Sequence, residues 1–202
     1  MKEIKVEQGT DEWFAARVGL VTASQFSILM TATGKASKGK GVETLIREVA
    51  SEKITGESED FFDGNHWTKR GNKLEPEAFA AFTFLTDLEV RQSGFCDSEK
   101  GYGASPDGLL ESAGLELKCP SGKKHLEYLE ANILPPEYKA QVMGSMVVTG
   151  FDHWYFMSYH PNFKKQLVLR IEKDKEYCAV LELALSEAVS KVDELTKKYK
   201  GE

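Results

Sequence analysis

Apolar and polar positions run in two rhythms along this 202-residue chain, and the changes of rhythm predict its elements. From Gln8 to Val18 polar residues mix with Trp13 and Phe14. Thr22 followed three residues later by Gln25 is a capping-box pattern, which predicts a helix from there to about Met30. The stretch Thr31 to Gly41 carries three glycines and three lysines and predicts a flexible basic loop. Val42, Leu45, Ile46, Val49 and Ala50 recur at helical spacing, so a helix is expected over 42–54. An acidic loop follows from Gly56 to Gly64. A second periodic run predicts a helix over 74–86, with Leu74, Ala78, Phe79, Phe82 and Leu85 on one side. Pro76 falls in its first turn, where a missing N–H does no harm.

From Glu89 to Lys118 the texture shortens. Brief alternations broken by Gly94, Gly101, Gly103, Pro106, Gly108 and Gly114 predict an antiparallel meander. Pro135-Pro136 opens a helix that Gly150 ends. Strands are expected over 154–159 and 166–171, joined around Pro161-Asn162. A long helix over 174–199 closes the chain, its apolar face including Val180, Leu181, Leu185, Val189, Val192 and Leu195. This order predicts an α/β (α+β) fold with a central mixed, largely antiparallel sheet flanked by helices. No linker or repeat interrupts it, so residues 1–202 read as one domain.

Composition narrows the class. Hydrophobic residues make up 41% and charged residues 29%, enough to bury a core. No apolar run approaches the ~20 residues that span a bilayer. The segment Met1 to Glu7 is charged with no apolar stretch behind it, unlike a signal peptide, which predicts an intracellular protein. Cys96, Cys119 and Cys178 are odd in number and widely spaced, and the four histidines form no zinc spacing with them. Free thiols are the expectation. The net charge of −6 argues against nucleic acid only as a sum. Placement decides binding, and basic residues gather at Lys35, Lys38 and Lys40 and at Lys69, Arg70 and Lys73.

The chemistry concentrates in Ser105-Pro106-Asp107-Gly108 and Leu115-Glu116-Leu117-Lys118. Side chains alternate along a strand, so Glu116 and Lys118 share one face and Leu115 and Leu117 the other. A hairpin-like return, with Gly114 supplying the bend, would set Asp107 beside Glu116. Two carboxylates in an oxygen-only site suit magnesium, which takes one or two carboxylates, keeps waters and binds phosphate. The Leu117 backbone carbonyl could add a ligand. Magnesium would polarise a scissile phosphate and acidify a bound water. Lys118 would orient that water or offset developing charge. Taken singly, E-x-K is common on exposed strand faces and Pro-Asp-Gly is a common turn; their combination is specific.

These residues resemble the PD-(D/E)-x-K nuclease superfamily, and more closely the phage lambda exonuclease (YqaJ-type) recombination nucleases. The matching stretches are Arg17 to Ser24, Gly71 to Glu75, Ser105 to Leu109, Gly114 to Pro120, Ala140-Gln141-Val142 with Ser145-Met146, and Trp154-Tyr155-Phe156, in the same order over most of the chain. The resemblance implies a restriction-endonuclease-like core and a toroidal homotrimer. It implies a Mg2+-dependent enzyme using one or two ions, with Mn2+ able to substitute, that digests one strand of duplex DNA from the 5′ end. It also implies a phage-type annealing protein as partner, and a phage or prophage origin with action in the bacterial cytoplasm.

The resemblance assigns further residues. Glu75 becomes another acidic group at the metal site, although a Glu at a helix start also suits the helix dipole. Gln141 is placed beside the metal with Tyr138 nearby; on spacing alone Tyr138, Gln141 and Ser145 could be a solvated helix edge. Arg17, Ser24 and Ser105 become the pocket for a 5′-terminal phosphate. Free N–H groups at the Thr22 helix start would favour an anion there, and Arg17 could clamp phosphate in a fork. An ordinary cap and a surface arginine explain the same residues. Trp13 could stack on a terminal base or sit in the core. Lys35 and Lys38 could follow the DNA backbone or be a solvated charge run. The 31–41 loop and residues 66–70 depart most from the family pattern. The rival readings are an endonuclease of the same superfamily and a non-catalytic DNA-binding scaffold.

Overall fold

The structure, a computed structural model, describes residues 1–58 and 66–200, without the side chains of residues 66–69 and 72. Most of the expected acidic loop, residues 59–64, lies outside the described residues. In chain order come β1 (Lys2–Ile4), α1 (Asp11–Ala15), β2 (Val21–Thr22), a 3-10 helix (Ala23–Leu29), α2 (Lys40–Thr55), α3 (His66–Thr86), β3 (Arg91–Gln92), β4 (Phe95–Asp97), β5 (Tyr102–Ala104), β6 (Gly108–Leu109), β7 (Gly114–Lys118), α4 (Gly122–Ala131), α5 (Pro136–Thr149), β8 (His153–Ser158), β9 (Leu167–Glu172) and α6 (Lys175–Lys200).

The expected meander over 89–118 is split between two sheets. One has the order β1-β4-β5-β2, the other β3-β6-β7-β8-β9. Both are mixed: β2 runs parallel to β5 and β7 parallel to β8, while the remaining pairs are antiparallel. The α/β class with helices flanking mixed sheets is as expected; the single central sheet is not. The chain leaves one sheet after Ala104 and enters the other at Gly108, so the Ser105-Pro106-Asp107 turn is the hinge point between them.

The five-stranded sheet is covered on both faces. Leu115 and Leu117 of β7 and Met157 of β8 pack with Ala78 and Phe82 of α3. The opposite face turns Trp154 and Phe156 toward α5 and the main core of Phe26, Leu45, Val49, Met146 and Leu181. Glu116 is the register partner of Phe156 and therefore faces α5. Gly114 does not make the bend. It is paired within the sheet with Leu109 and Trp154, and a Cβ there would lie 2.1 Å from the indole, so the glycine lets Trp154 lie across β7.

Three helices differ from expectation. The segment after Thr22 is a seven-residue 3-10 helix, with Gln25 Oε1 accepting from the Thr22 N–H at 3.0 Å. The 31–41 stretch is a loop as far as Gly39, tied by its own backbone. Thr31 N–H donates to Lys35 O (2.7 Å) and Ser37 N–H to Leu29 O (2.8 Å), and Lys40 and Gly41 already belong to α2. Helix α3 begins eight residues earlier than expected, at His66, which leaves Pro76 in its interior. The apolar face starts only at Leu74; the upstream half is held by a tertiary contact, Arg70 donating to the carbonyls of Cys119 (2.5 Å) and Pro120 (2.9 Å). Among the described residues no helix is long and apolar enough to cross a membrane.

Candidate active site

Asp107 and β7 meet through the backbone before they meet through side chains. The Asp107 N–H donates to Leu115 O at 3.1 Å. The Leu117 N–H donates to Asp107 Oδ2 at 2.5 Å. These two bonds lie on either side of Glu116 and fix Asp107 beside it. The antiparallel pairing of Gly108 with Leu115 and Leu109 with Gly114 supplies the return that the motif spacing predicts.

Glu116 is only 1% exposed, so it does not point outward as expected for an exposed strand face. Burial of a carboxylate requires partners. Lys118 forms an ion pair with Glu116 Oε1, and Gln141 Nε2 from α5 donates to the same oxygen at 2.7 Å. The Lys118 ammonium also lies 5.2 Å from the centre of the Tyr138 ring, one turn before Gln141 on α5. Lys118 reaches the solvent side, its side chain 26% exposed.

The charges are unbalanced. Burial and the Glu116 carboxylate push the Asp107 carboxyl well above the ordinary aspartate range, against the pull of Lys118. Burial alone would lower the Lys118 ammonium; Glu116 and Asp107 outweigh it and hold it above the ordinary lysine value. Glu75, partly buried on α3, is raised by burial while Lys118 opposes and Glu116 adds to the shift. Three acids thus share one lysine.

The residues present fit a divalent cation with oxygen preference. Asp107 Oδ1 and Glu116 Oε2 make no hydrogen bond among the described residues, since Leu117, Gln141 and Lys118 use the other oxygen of each. No third Asp, Glu, His or Cys among the described residues closes a metal cluster with them. Two carboxylates, each with one oxygen not hydrogen-bonded among the described residues, match the habit of magnesium. Glu75 stands close enough to influence the charge but is not part of a closed ligand set.

Two of the expected phosphate residues, Arg17 and Ser105, are linked through Trp13. The Arg17 guanidinium lies over the Trp13 ring, 3.8 Å from its centre. Trp13 Nε1–H donates to Ser105 Oγ at 2.9 Å. Arg17 also lines a small open cleft with Phe14, Thr22, Gln25 and Glu52. Thr22 Oγ1 and Ser24 Oγ are 3.1 Å apart. Trp13 is therefore a brace between Arg17 and Ser105. Of the N–H groups expected to favour an anion at the helix start, that of Thr22 is already taken. The helix is a short 3-10 segment, and the Gln25 side chain already occupies the Thr22 N–H. Glu52, whose carboxylate accepts from the Gly19 N–H at 3.0 Å, adds an acid to the cleft wall.

Lys35 and Lys38 are exposed and make no ion pair among the described residues. They follow the C-terminal end of the 3-10 helix. Two contacts near the site carry no periodic signal in the sequence: Arg70 on the Cys119-Pro120 carbonyls, and Gln8 on the carbonyl of Pro106 at 2.8 Å.

Residues 12–152, well over half of the chain, match the YqaJ-like viral recombinase domain. The chain belongs to that family. Among solved structures, the YqaJ-like chain superposes on an alkaline exonuclease (LHK-Exo) from Laribacter hongkongensis with a TM-score of 0.84 and 32% identity, covering 95% of this chain and 97% of the other. The same protein has been solved in complex with dAMP. A phage related exonuclease from Haemophilus somnus 129PT shares the fold, with a TM-score of 0.66, 16% identity and coverage of 89% and 96%. The Escherichia coli (strain K12) protein ExoD is 39% identical over 59 residues, 28% of this chain and 68% of ExoD.

Proposed function

We propose that this YqaJ-like protein is a magnesium-dependent 5′→3′ exonuclease on linear double-stranded DNA that leaves 3′ single-stranded tails. The observation that carries this reading is the convergence of Asp107, Glu116, Lys118 and Gln141, with one oxygen of each carboxylate not hydrogen-bonded among the described residues and the Lys118 ammonium beside them. A bound divalent ion supplies Lewis-acid polarisation of the phosphodiester and a more acidic water. Asp107 and Glu116 hold that ion, with the Leu117 carbonyl as a further donor and one or two ions as the range. Lys118 orients the attacking water or stabilises the charge developing on the phosphoryl group. Gln141 fixes the orientation of Glu116, Tyr138 shields the Lys118 ammonium, and Glu75 adds negative potential. Mn2+ substitutes for Mg2+, having the same preference for oxygen ligands.

Chain geometry supports the reading of end recognition. Ser105 precedes Asp107 by two residues, at most ~7 Å of backbone. Arg17, Ser24 and Ser105 take the 5′-phosphate, and this places the phosphodiester on its 3′ side at the metal. Trp13 holds two of these three groups. That the related LHK-Exo accommodates dAMP fits release of mononucleotides. A homotrimeric ring that encloses the product strand and a single-strand annealing protein as partner complete the proposal.

Digestion of linear duplex labelled at either the 5′ or the 3′ end, in Mg2+ and then in EDTA, tests it. Early release of the 5′ label as mononucleotide, abolished by EDTA, is expected. Cutting of covalently closed circular duplex as fast as linear duplex would favour an endonuclease instead.

A further inference from the structure

Gln8 lies before α1 and is 99 positions from Asp107, yet its side chain grips the turn that carries Asp107. Its Nε2 donates to Ser93 O and to Pro106 O, each at 2.8 Å. Pro106 has no N–H, so the carbonyl is its one main-chain handle. That carbonyl belongs to the peptide group joining Pro106 to Asp107. The same peptide's N–H, on Asp107, donates to Leu115 O at 3.1 Å. A peptide is planar and stiff, so Gln8 on one edge and Leu115 on the other fix its orientation. They thereby fix where the Asp107 carboxylate starts. A second bond from the same N-terminal segment, Trp13 Nε1–H to Ser105 Oγ, holds the preceding residue.

We propose that Gln8 is a positioning residue for the metal ligand Asp107. The inference rests on the nuclease reading above and deepens it: the N-terminal segment sets the metal ligand through Gln8 and the proposed phosphate-binding Ser105 through Trp13, by separate bonds. The Ser93 bond anchors Gln8 itself to the strand region before β4, so the amide cannot swing away with the turn.

Isothermal titration of the full-length protein with Mg2+ alone, without DNA, tests this. Gln8→Glu keeps the shape but turns the donor into an acceptor facing two carbonyls. Its added negative charge alone would tighten Mg2+ binding; loss of positioning predicts the opposite, weakening by about 10-fold or more. Trp13→Phe, which loosens the same segment without touching Pro106, is expected to leave Mg2+ affinity within about twofold. It should instead lower the preference for 5′-phosphorylated over dephosphorylated ends by about fivefold, the worth of one hydrogen bond. Should Gln8→Glu fail to fold, Gln8→Met removes the donor without adding charge and carries the same expectation. Wild-type Mg2+ affinity in the folded Gln8 variant overturns the inference, as does an equal loss in Trp13→Phe, which would mark general loosening. A wild-type protein that binds no Mg2+ overturns the nuclease centre itself and this inference with it.

Discussion

Glu116 is a buried carboxylate, and Lys118 and Gln141 both bind one of its oxygens while the other has no hydrogen bond among the described residues. That division of labour matters because an anionic side chain in a low-dielectric interior is expensive unless paired. Arg17 is placed differently, braced on Trp13 and tied through it to Ser105. Arg17→Ala should slow digestion of 5′-phosphorylated ends by about 10-fold, the scale of a charge-assisted bond, and dephosphorylated ends far less. Comparing initial rates on the two substrates, mutant against wild type, checks this; equal losses would contradict the pocket. At this scale Asp107, Glu116 and Lys118 were legible because strand alternation and a short return are local rules. The braces were not. Gln8 and Arg70 act on backbone carbonyls more than 40 residues away, and nothing in a side chain's type announces which carbonyl it will meet.

At the scale of elements, β7 and β8 position the site by lying parallel and in register from Gly114 and Trp154 to Lys118 and Ser158. The close approach depends on Gly114, where a Cβ would fall within 2.4 Å of three indole atoms. Gly114→Ala should destabilise the fold by about 1–3 kcal/mol through overpacking. A fall in melting temperature of roughly 2–4 °C per kcal/mol follows for a chain of this size. An unchanged melting temperature by thermal denaturation would show that Trp154 can move aside at no cost. The longer helices α2, α5 and α6 and the six-residue strands β8 and β9 were readable because each repeats its pattern several times. Strand β1 and helix α4 escaped. Three residues carry too little alternation, and α4 buries only His125 and Tyr128. The division into two sheets also escaped, since strands of two or three residues do not reveal their partners, and β2–β5 pairing spans about 80 residues.

For the whole molecule, the Ser105-Pro106-Asp107 turn passes from one sheet to the other and joins the candidate phosphate-binding serine to the candidate metal ligand. On the proposed reading, that turn would set the 5′-phosphate on one sheet's side and cleavage on the other's. If three copies close into a ring around the product strand, sedimentation should give a trimer. Once started, linear duplex should then be degraded without exchange when a large excess of unlabelled competitor DNA is added. A monomeric protein that releases its substrate after each cleavage would contradict the ring. The α/β class and helical cover were visible in the order of the elements, whereas assembly leaves no periodic trace in one chain.

The central claim is that Asp107, Glu116 and Lys118 form a hydrolytic centre. Lys118→Ala tests it most directly, with turnover and affinity for linear duplex measured side by side. The account predicts cleavage reduced by about 10²–10⁴-fold, the usual range for losing one group that stabilises transition-state charge or moves a proton, while DNA affinity stays within a few-fold of wild type. Wild-type turnover in Lys118→Ala would contradict it.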